Sequence, residues 1–186
     1  MEFVTFFLLL IVGGIETTRT STSHGMRLLM EHPDQYQMLV DNPELVPDAV
    51  EEILRFNPAF IHMRRTAMED VEVNGMQIRK GDKVVLMYDA ANHDETVFGE
   101  DSEVFDITRA QRMPEMRNEH RTFGIGQHFC LGSHLARREL LLVVEEFLKQ
   151  IPEFELRAGE KPEVQWPSGT LHLKSLPIVY PQKAAI

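Results

Sequence analysis

Apolar positions follow two periods along this chain, and the changes from one to the other divide it into segments. From Phe3 to Gly14 nearly every position is apolar, and a helical pattern continues from Thr20 to about His32. Pro33 predicts a further short helix through Met38 and Leu39, because proline is tolerated in a first turn. Pro47 opens another helix, from Asp48 to about Phe56. Alternation then takes over. Phe60 to Thr66 reads as a strand, and Val71, Val73, Met76 and Ile78 flank Asn74-Gly75, a strong hairpin signal. After a turn at Lys80-Gly81-Asp82, Lys83 to Tyr88 reads as a buried strand, whereas Glu100 to Thr122 is polar and irregular. Helical spacing returns from Leu131 to about Gln150, where Leu135, Leu140, Leu141, Val144, Phe147 and Leu148 fit one face better than alternation. Phe154 to Leu156 and Leu171 to Tyr180 then predict the strands of a terminal hairpin.

Composition bounds what such a chain does. Its 186 residues, 43% apolar and 26% charged, suffice for one globular domain with a sizeable core. A net charge of -10, with no zinc-finger spacing and no long basic tract, argues against general nucleic-acid binding. A single cysteine makes no internal disulfide, so a reducing cytoplasm is the natural setting. The run from Phe3 to Gly14 raises the question of a signal peptide or a span. Glu2 precedes it, no basic region comes before it, and no small-residue cleavage site follows. The run also falls short of the roughly 20 residues needed to cross a bilayer. A buried helix is therefore expected, with no membrane span.

The candidate chemistry centres on Phe123-Gly124-Ile125-Gly126-Gln127-His128-Phe129-Cys130-Leu131-Gly132, which holds the only cysteine. Glycines at 124, 126 and 132 permit tight turns and a close approach to a flat partner. Cys130 is expected at a helix start, where a sulfur facing unpaired amides suits a metal ligand. A lone cysteine builds no zinc cage, and a buried free cysteine is the alternative. Upstream, Val12-Gly13-Gly14-Ile15-Glu16-Thr17-Thr18 combines small residues with an acid and hydroxyls, a set able to relay protons or to form a loop and helix cap. Glu52 and Arg55 are three apart on one helical face, either as an exposed ion pair or as an internal one.

The loop from Phe123 to Gly132 resembles the haem-binding loop of the cytochrome P-450 family, whose cysteine is the proximal haem ligand. Gly13 to Thr17 resembles the family's distal oxygen-binding motif, with Gly13 where alanine is usual. Glu52-x-x-Arg55 resembles an internal pair completed by an arginine of a later meander, for which Arg109 is the candidate, although Val104 stands where the family often has arginine. Arg65 and His128 resemble the residues that meet the haem propionates, and Ala90 to Glu95 resembles a structural segment. The resemblance runs from Phe3 to Tyr180. It implies the C-terminal portion of the cytochrome P-450 fold, mainly α with small β-sheets (α+β). Residues 1–186 would form a single partial domain from the central distal helix to the terminal β-hairpin, beginning midway along that helix.

The resemblance further implies haem b with dioxygen as co-substrate, and insertion of one oxygen atom into a C–H bond of a small apolar substrate of sterol, terpenoid or long-chain lipid type. Cys130 would be the axial ligand, with Glu16 and Thr17 as proton relay. Arg65, Phe123, Gly124, Gly126, His128 and Gly132 would shape the cofactor site, and the hairpin around Ser168 to Leu173 would reach the substrate cavity. An electron-donor protein, a ferredoxin or similar, would dock on the arginines at 109, 112, 117, 121, 137 and 138. A haem-binding fragment without oxygenase activity is the alternative.

Overall fold

The structure, a computed structural model, describes residues 1–165 and 170–181. The two helical stretches read near the N-terminus form one helix, α1 (Glu2–Glu31). It is followed by α2 (Pro33–Asp41), with proline in its first turn, and α3 (Val46–Phe56). Both begin where the prolines place them. α8 (Ser133–Gln150) lies against α1 and α3. Leu28 and Leu29 of α1, Leu39 of α2, Val46, Ile53 and Leu54 of α3, and Leu140 and Val144 of α8 bury together, with Phe105 and Ile107 closing the core. Gly25 sets how near α1 and α3 come. A Cβ there would lie 3.0 Å from Ile53 Cγ2, tighter than ordinary contact allows.

The strands form small antiparallel pairs. β1 (His62–Thr66) pairs with β4 (Lys83–Met87), and between them β2 (Val71–Val73) and β3 (Met76–Ile78) make the hairpin read at Asn74-Gly75. Both turn residues have positive φ, 47° and 79°, which asparagine and glycine tolerate. β4 corrects an expectation. It is largely exposed rather than buried, because nothing among the described residues covers the pair on either side. The terminal hairpin is also more divided than its sequence suggests: β5 (Glu155–Leu156) pairs with β8 (Ile178–Val179), while β7 (Leu173–Ser175) pairs with β6 (Glu163–Val164), a strand too short to read. Pro177 separates β7 from β8. Ser168, named above with the substrate cavity, lies outside the described residues.

Helix α1 corrects a second expectation. The side chains of residues 1–15 are exposed, and burial begins only with Thr20, because the core forms against the C-terminal part of the helix. At 30 residues, with a window of mean hydropathy 1.4, α1 is long and apolar enough to cross a membrane by length and composition. The helix thus extends well beyond the short apolar run from Phe3 to Gly14. The second half nevertheless buries Thr20, Ser21 and His24 inside the protein core, as a globular fold requires.

The connection from β4 to α8 runs through α4 (Tyr88–Asn92), α5 (Glu95–Phe98), α6 (Arg109–Arg112) and α7 (Met116–Glu119). Glu52, Arg55 and Arg109 hold it to the core, each with its side chain fully buried. Arg55 reaches Glu52 with two nitrogens at 2.8 Å, and Arg109 Nε lies 3.3 Å from the same carboxylate. Arg55 also donates to the carbonyls of Asn92 (2.7 Å) and Ser102 (2.9 Å), and Arg109 to those of Asp101 and Val104 (both 2.8 Å). The internal reading of the pair is correct, and Arg109 completes it despite Val104. Asn92, equally buried, donates to Arg55 O (2.9 Å) and accepts from Arg121 N (2.6 Å), which gives Ala90 to Glu95 the structural role expected of it.

Candidate functional site

The cysteine loop is fastened at its first residues and open at its last. Thr122 Oγ1 donates to Leu54 O at 2.6 Å, tying the loop to α3. Phe123 is half-buried, and Gly124 and Gly126 take φ of 73° and 70°, a backbone that side chains rarely adopt. A short 3₁₀ turn, Gly126–His128, follows, and Cys130 N donates back to Phe123 O at 2.9 Å. The loop so closed gathers Phe123, Gly124, Gly126, His128, Cys130 and Gly132 in one place. Cys130 is exposed, which overturns the buried-cysteine alternative. It also stands before the helix rather than at its start, since Gly132 is the N-cap and α8 begins at Ser133. On the loop and the first turn of α8, Ile125, Phe129, Leu131 and Leu135 are exposed, Leu131 by 83%. Leu135 was expected on the buried face of α8; it joins this apolar rim instead.

On α1 the helix runs unbroken through Gly13 and Gly14, so the loop-and-cap alternative is not adopted. A Cβ at either glycine would meet nothing within 4 Å. Thr17 Oγ1 donates to Gly13 O at 2.6 Å, a bond back along the helix that leaves its oxygen able to accept. Glu16 is held by Arg19 at 3.1 Å and by His172 Nδ1 at 3.0 Å. His172 was missed in the sequence, where nothing local links it to α1. The ring of His24 meets Leu171 O beside it and fixes this segment to the helix. Arg65 is exposed on β1 opposite Val84, donating only to Arg64 O (3.1 Å), and His128 is exposed on the 3₁₀ turn. Neither pairs with a carboxylate among the described residues. Glu16, Thr17 and Arg65 share no hydrogen bond with the cysteine loop.

The arginines read as a docking surface are mostly engaged. Arg109 is in the buried cluster, and Arg112 pairs with Asp101 and Asp106. Arg117 lies 3.7 Å from Glu51, Arg121 3.4 Å from Glu119, and Arg137 2.7 Å from Glu51. Arg138 alone of the six has no ion pair among the described residues. The expected surface is therefore weaker than its arginine count, because nearby acids lie close enough to neutralise it.

Behind the loop, His120 Nε2 sits 3.1 Å from Glu51 Oε2. Burial pushes His120 below its ordinary value, against the opposing pull of Glu51. Burial likewise lowers His24, with the Leu171 carbonyl opposing. Burial alone would raise the Glu51 carboxyl, but hydrogen bonds and charge from His120 and Arg137 outweigh it and leave the group low. All three shifts act in one direction. Below 6.5 the unfolded histidines take up protons that the folded ones refuse, so stability falls with pH from there. Glu51 adds stability present above 4.5 and lost as pH falls through its depressed folded value. The urea midpoint is expected to drop between pH 7.5 and 5.5, and His120→Gln to reduce that drop; a midpoint equal at both values would refute it.

A helical core, small antiparallel strand pairs and one exposed thiol on a glycine-turned loop make this an α+β fold. The sequence matches the family "Cytochrome P450" over residues 1–180, and the chain belongs to it. It is 45% identical to linalool 8-monooxygenase of Pseudomonas putida over 83% of this chain and 36% of that protein. It is 39% identical to steroid C26-monooxygenase of Mycolicibacterium smegmatis over 100% of this chain and 44% of that protein. CYP109E1 of Bacillus megaterium, solved with testosterone, superposes with a TM-score of 0.87 at 32% identity, over 95% of this chain and 47% of that one. The chain thus spans about two fifths of the curated relatives it matches.

The family uses haem b, and the residues present fit it. No cluster of three or more His, Cys, Asp or Glu able to hold a metal occurs among the described residues. One cysteine suffices for a metal that brings its other ligands, as haem iron does. Ile125, Phe129 and Leu131, exposed on the same loop as Cys130, would offer a flat macrocycle an apolar surface.

Proposed function

We propose that this chain is the ligand-bearing part of a haem-thiolate monooxygenase that inserts one oxygen atom from dioxygen into a C–H bond of a small apolar substrate. The observation that supports it most is the exposed Cys130 on its glycine-turned loop, in a chain of this family. Haem iron held by Cys130 would supply dioxygen activation, since a thiolate ligand pushes electron density toward cleavage of the O–O bond. Arg65 and His128 are the cation and donor suited to the propionates, and Phe123, Gly124, Gly126 and Gly132 hold the loop that presents the sulfur. Thr17, its oxygen left able to accept, orients a proton, and Glu16 supplies the titratable group beside it. Relatives named for linalool and for steroids support a terpenoid or sterol class of substrate. Two electrons would arrive singly from a ferredoxin-type donor in the cytoplasm, near Arg138.

The exposed apolar half of α1 favours a second reading, a haem-binding chain without oxygenase activity. Titration with haem followed by the ferrous carbon monoxide spectrum tests the first part: a thiolate-type Soret band is expected, and absence of haem uptake would refute the site. Thr17→Ala in a substrate-turning holoenzyme tests the second. Oxygen consumption is expected to persist while product per oxygen falls by about 100-fold, the lower end of what one proton-transfer group contributes. An unchanged ratio would remove Thr17 from the relay.

A further inference from the structure

We propose that Arg137 is a positioning residue for the Cys130 sulfur, acting through the ring of Phe123; this rests on the reading of Cys130 as the haem ligand. In the sequence Arg137 stands among the cations of a docking surface. In the fold it is only 9% exposed, and its donors are engaged internally. Nε donates to Glu51 Oε1 at 2.7 Å, and Nη2 lies 3.2 Å from Arg117 O and 3.4 Å from His120 Nε2. Held by these groups, the guanidinium lies over Phe123, 4.5 Å from the ring centroid. That is inside the range of about 6 Å in which a cation is attracted to an aromatic face.

Phe123 is the residue on which the cysteine loop closes. Its carbonyl accepts Cys130 N–H at 2.9 Å, and its ring meets those of His120 at 6.0 Å and Phe129 at 6.4 Å. One residue therefore receives the cation on its ring and fixes the cysteine with its backbone. A line of contacts runs from Glu51 on α3 through Arg137 on α8 and Phe123 to Cys130. A cavity of about 270 Å³, bounded by Arg117, His120, Phe123, Phe129, Ser133 and Arg137 among others, adjoins the contact. Phe123 thus has space on one side, and packing alone does not confine its ring. A planar guanidinium can lie over the ring while keeping its carboxylate; the ammonium of lysine is drawn to a ring face too, but as a single point charge held by Glu51 it does not serve both at once.

The test is the ferrous carbon monoxide spectrum of the holoprotein, read as the ratio of thiolate-ligated to thiol-ligated forms. Arg137→Lys is expected to lower that ratio about threefold to tenfold, the equilibrium factor that one partly desolvated cation–π contact represents. Phe123→Leu is expected to lower it similarly, and the double variant no further, because both remove one contact. Phe123→Tyr keeps a ring face and the parent ratio, which leaves the idea testable should Arg137→Lys fail to fold. Lys149→Arg, exposed on the same helix, is expected to match the parent. An unchanged ratio in Arg137→Lys, additive losses in the double variant, or equal losses in Phe123→Leu and Phe123→Tyr would overturn the proposal. A parent without any thiolate band overturns the haem-thiolate reading itself, and this inference with it.

Discussion

Cys130→Ser is expected to abolish thiolate-type ligation of haem while leaving helical content unchanged. A serine hydroxyl lacks the soft, electron-donating sulfur that a haem-thiolate site would need. No other thiolate can substitute, since Cys130 is the only cysteine. The fold, in turn, has no need of the side chain. The thiol is exposed, and the loop closes through the backbone bond from Cys130 N to Phe123 O, which serine retains. The measurement pairs the carbon monoxide spectrum with circular dichroism. An unchanged haem spectrum in the variant would remove Cys130 as the ligand, and a parallel loss of helix would make its role structural.

Glu52→Ala is expected to have the opposite profile, a loss of folding with the chemistry untouched. The carboxylate receives both Arg55 and Arg109, all three side chains having no exposure to solvent, and accepts Asp106 N at 3.0 Å. Alanine would leave two buried guanidinium groups facing a void. Removing one partner of a buried pair costs about 3–5 kcal/mol, because the remaining charge is stranded away from water. Arg109 keeps Asp101 at 3.0 Å, so Arg55 is the charge left without a carboxylate and the loss lies within that range, against a total stability of about 5–15 kcal/mol for a typical domain. Soluble yield and the urea midpoint read it out. A variant melting with its parent would show that water reaches the cluster. Glu52→Gln, which keeps the shape but not the charge, is expected to fall between the two.

How much of this was legible beforehand depends on the range of each interaction. The hairpin at Asn74-Gly75, the prolines that open α2 and α3, and Gly124 and Gly126 of the cysteine loop were read correctly, since each satisfies a requirement of its own backbone, whereas Gly132 has an ordinary φ of -85°. The pairing of Glu52 with Arg55 was readable because a helix places residues three apart on one face. Its burial was legible only through the family resemblance, because the carbonyls of Asn92, Ser102 and Val104 that enclose it come from a distant stretch. The exposure of β4 and of the first half of α1 was misjudged for a related reason. An apolar residue carries the tendency to be buried, but not the surface that buries it.

The chain by itself thus determined its helices, its tight turns, a lone sulfur on a loop that glycine allows to bend, and an acid beside a threonine on one helix. These follow from steric limits and short spacings within a few residues. The tertiary structure decided which charges are internal and what each candidate residue touches. It took Arg137 and Arg109 away from the surface, brought His172 onto Glu16, and set Phe123 between a cation and the cysteine. Such choices depend on which distant groups share a space when the core closes. A charge joins whichever partner meets it there, because leaving it unpaired in a place without water costs more than any local preference can return.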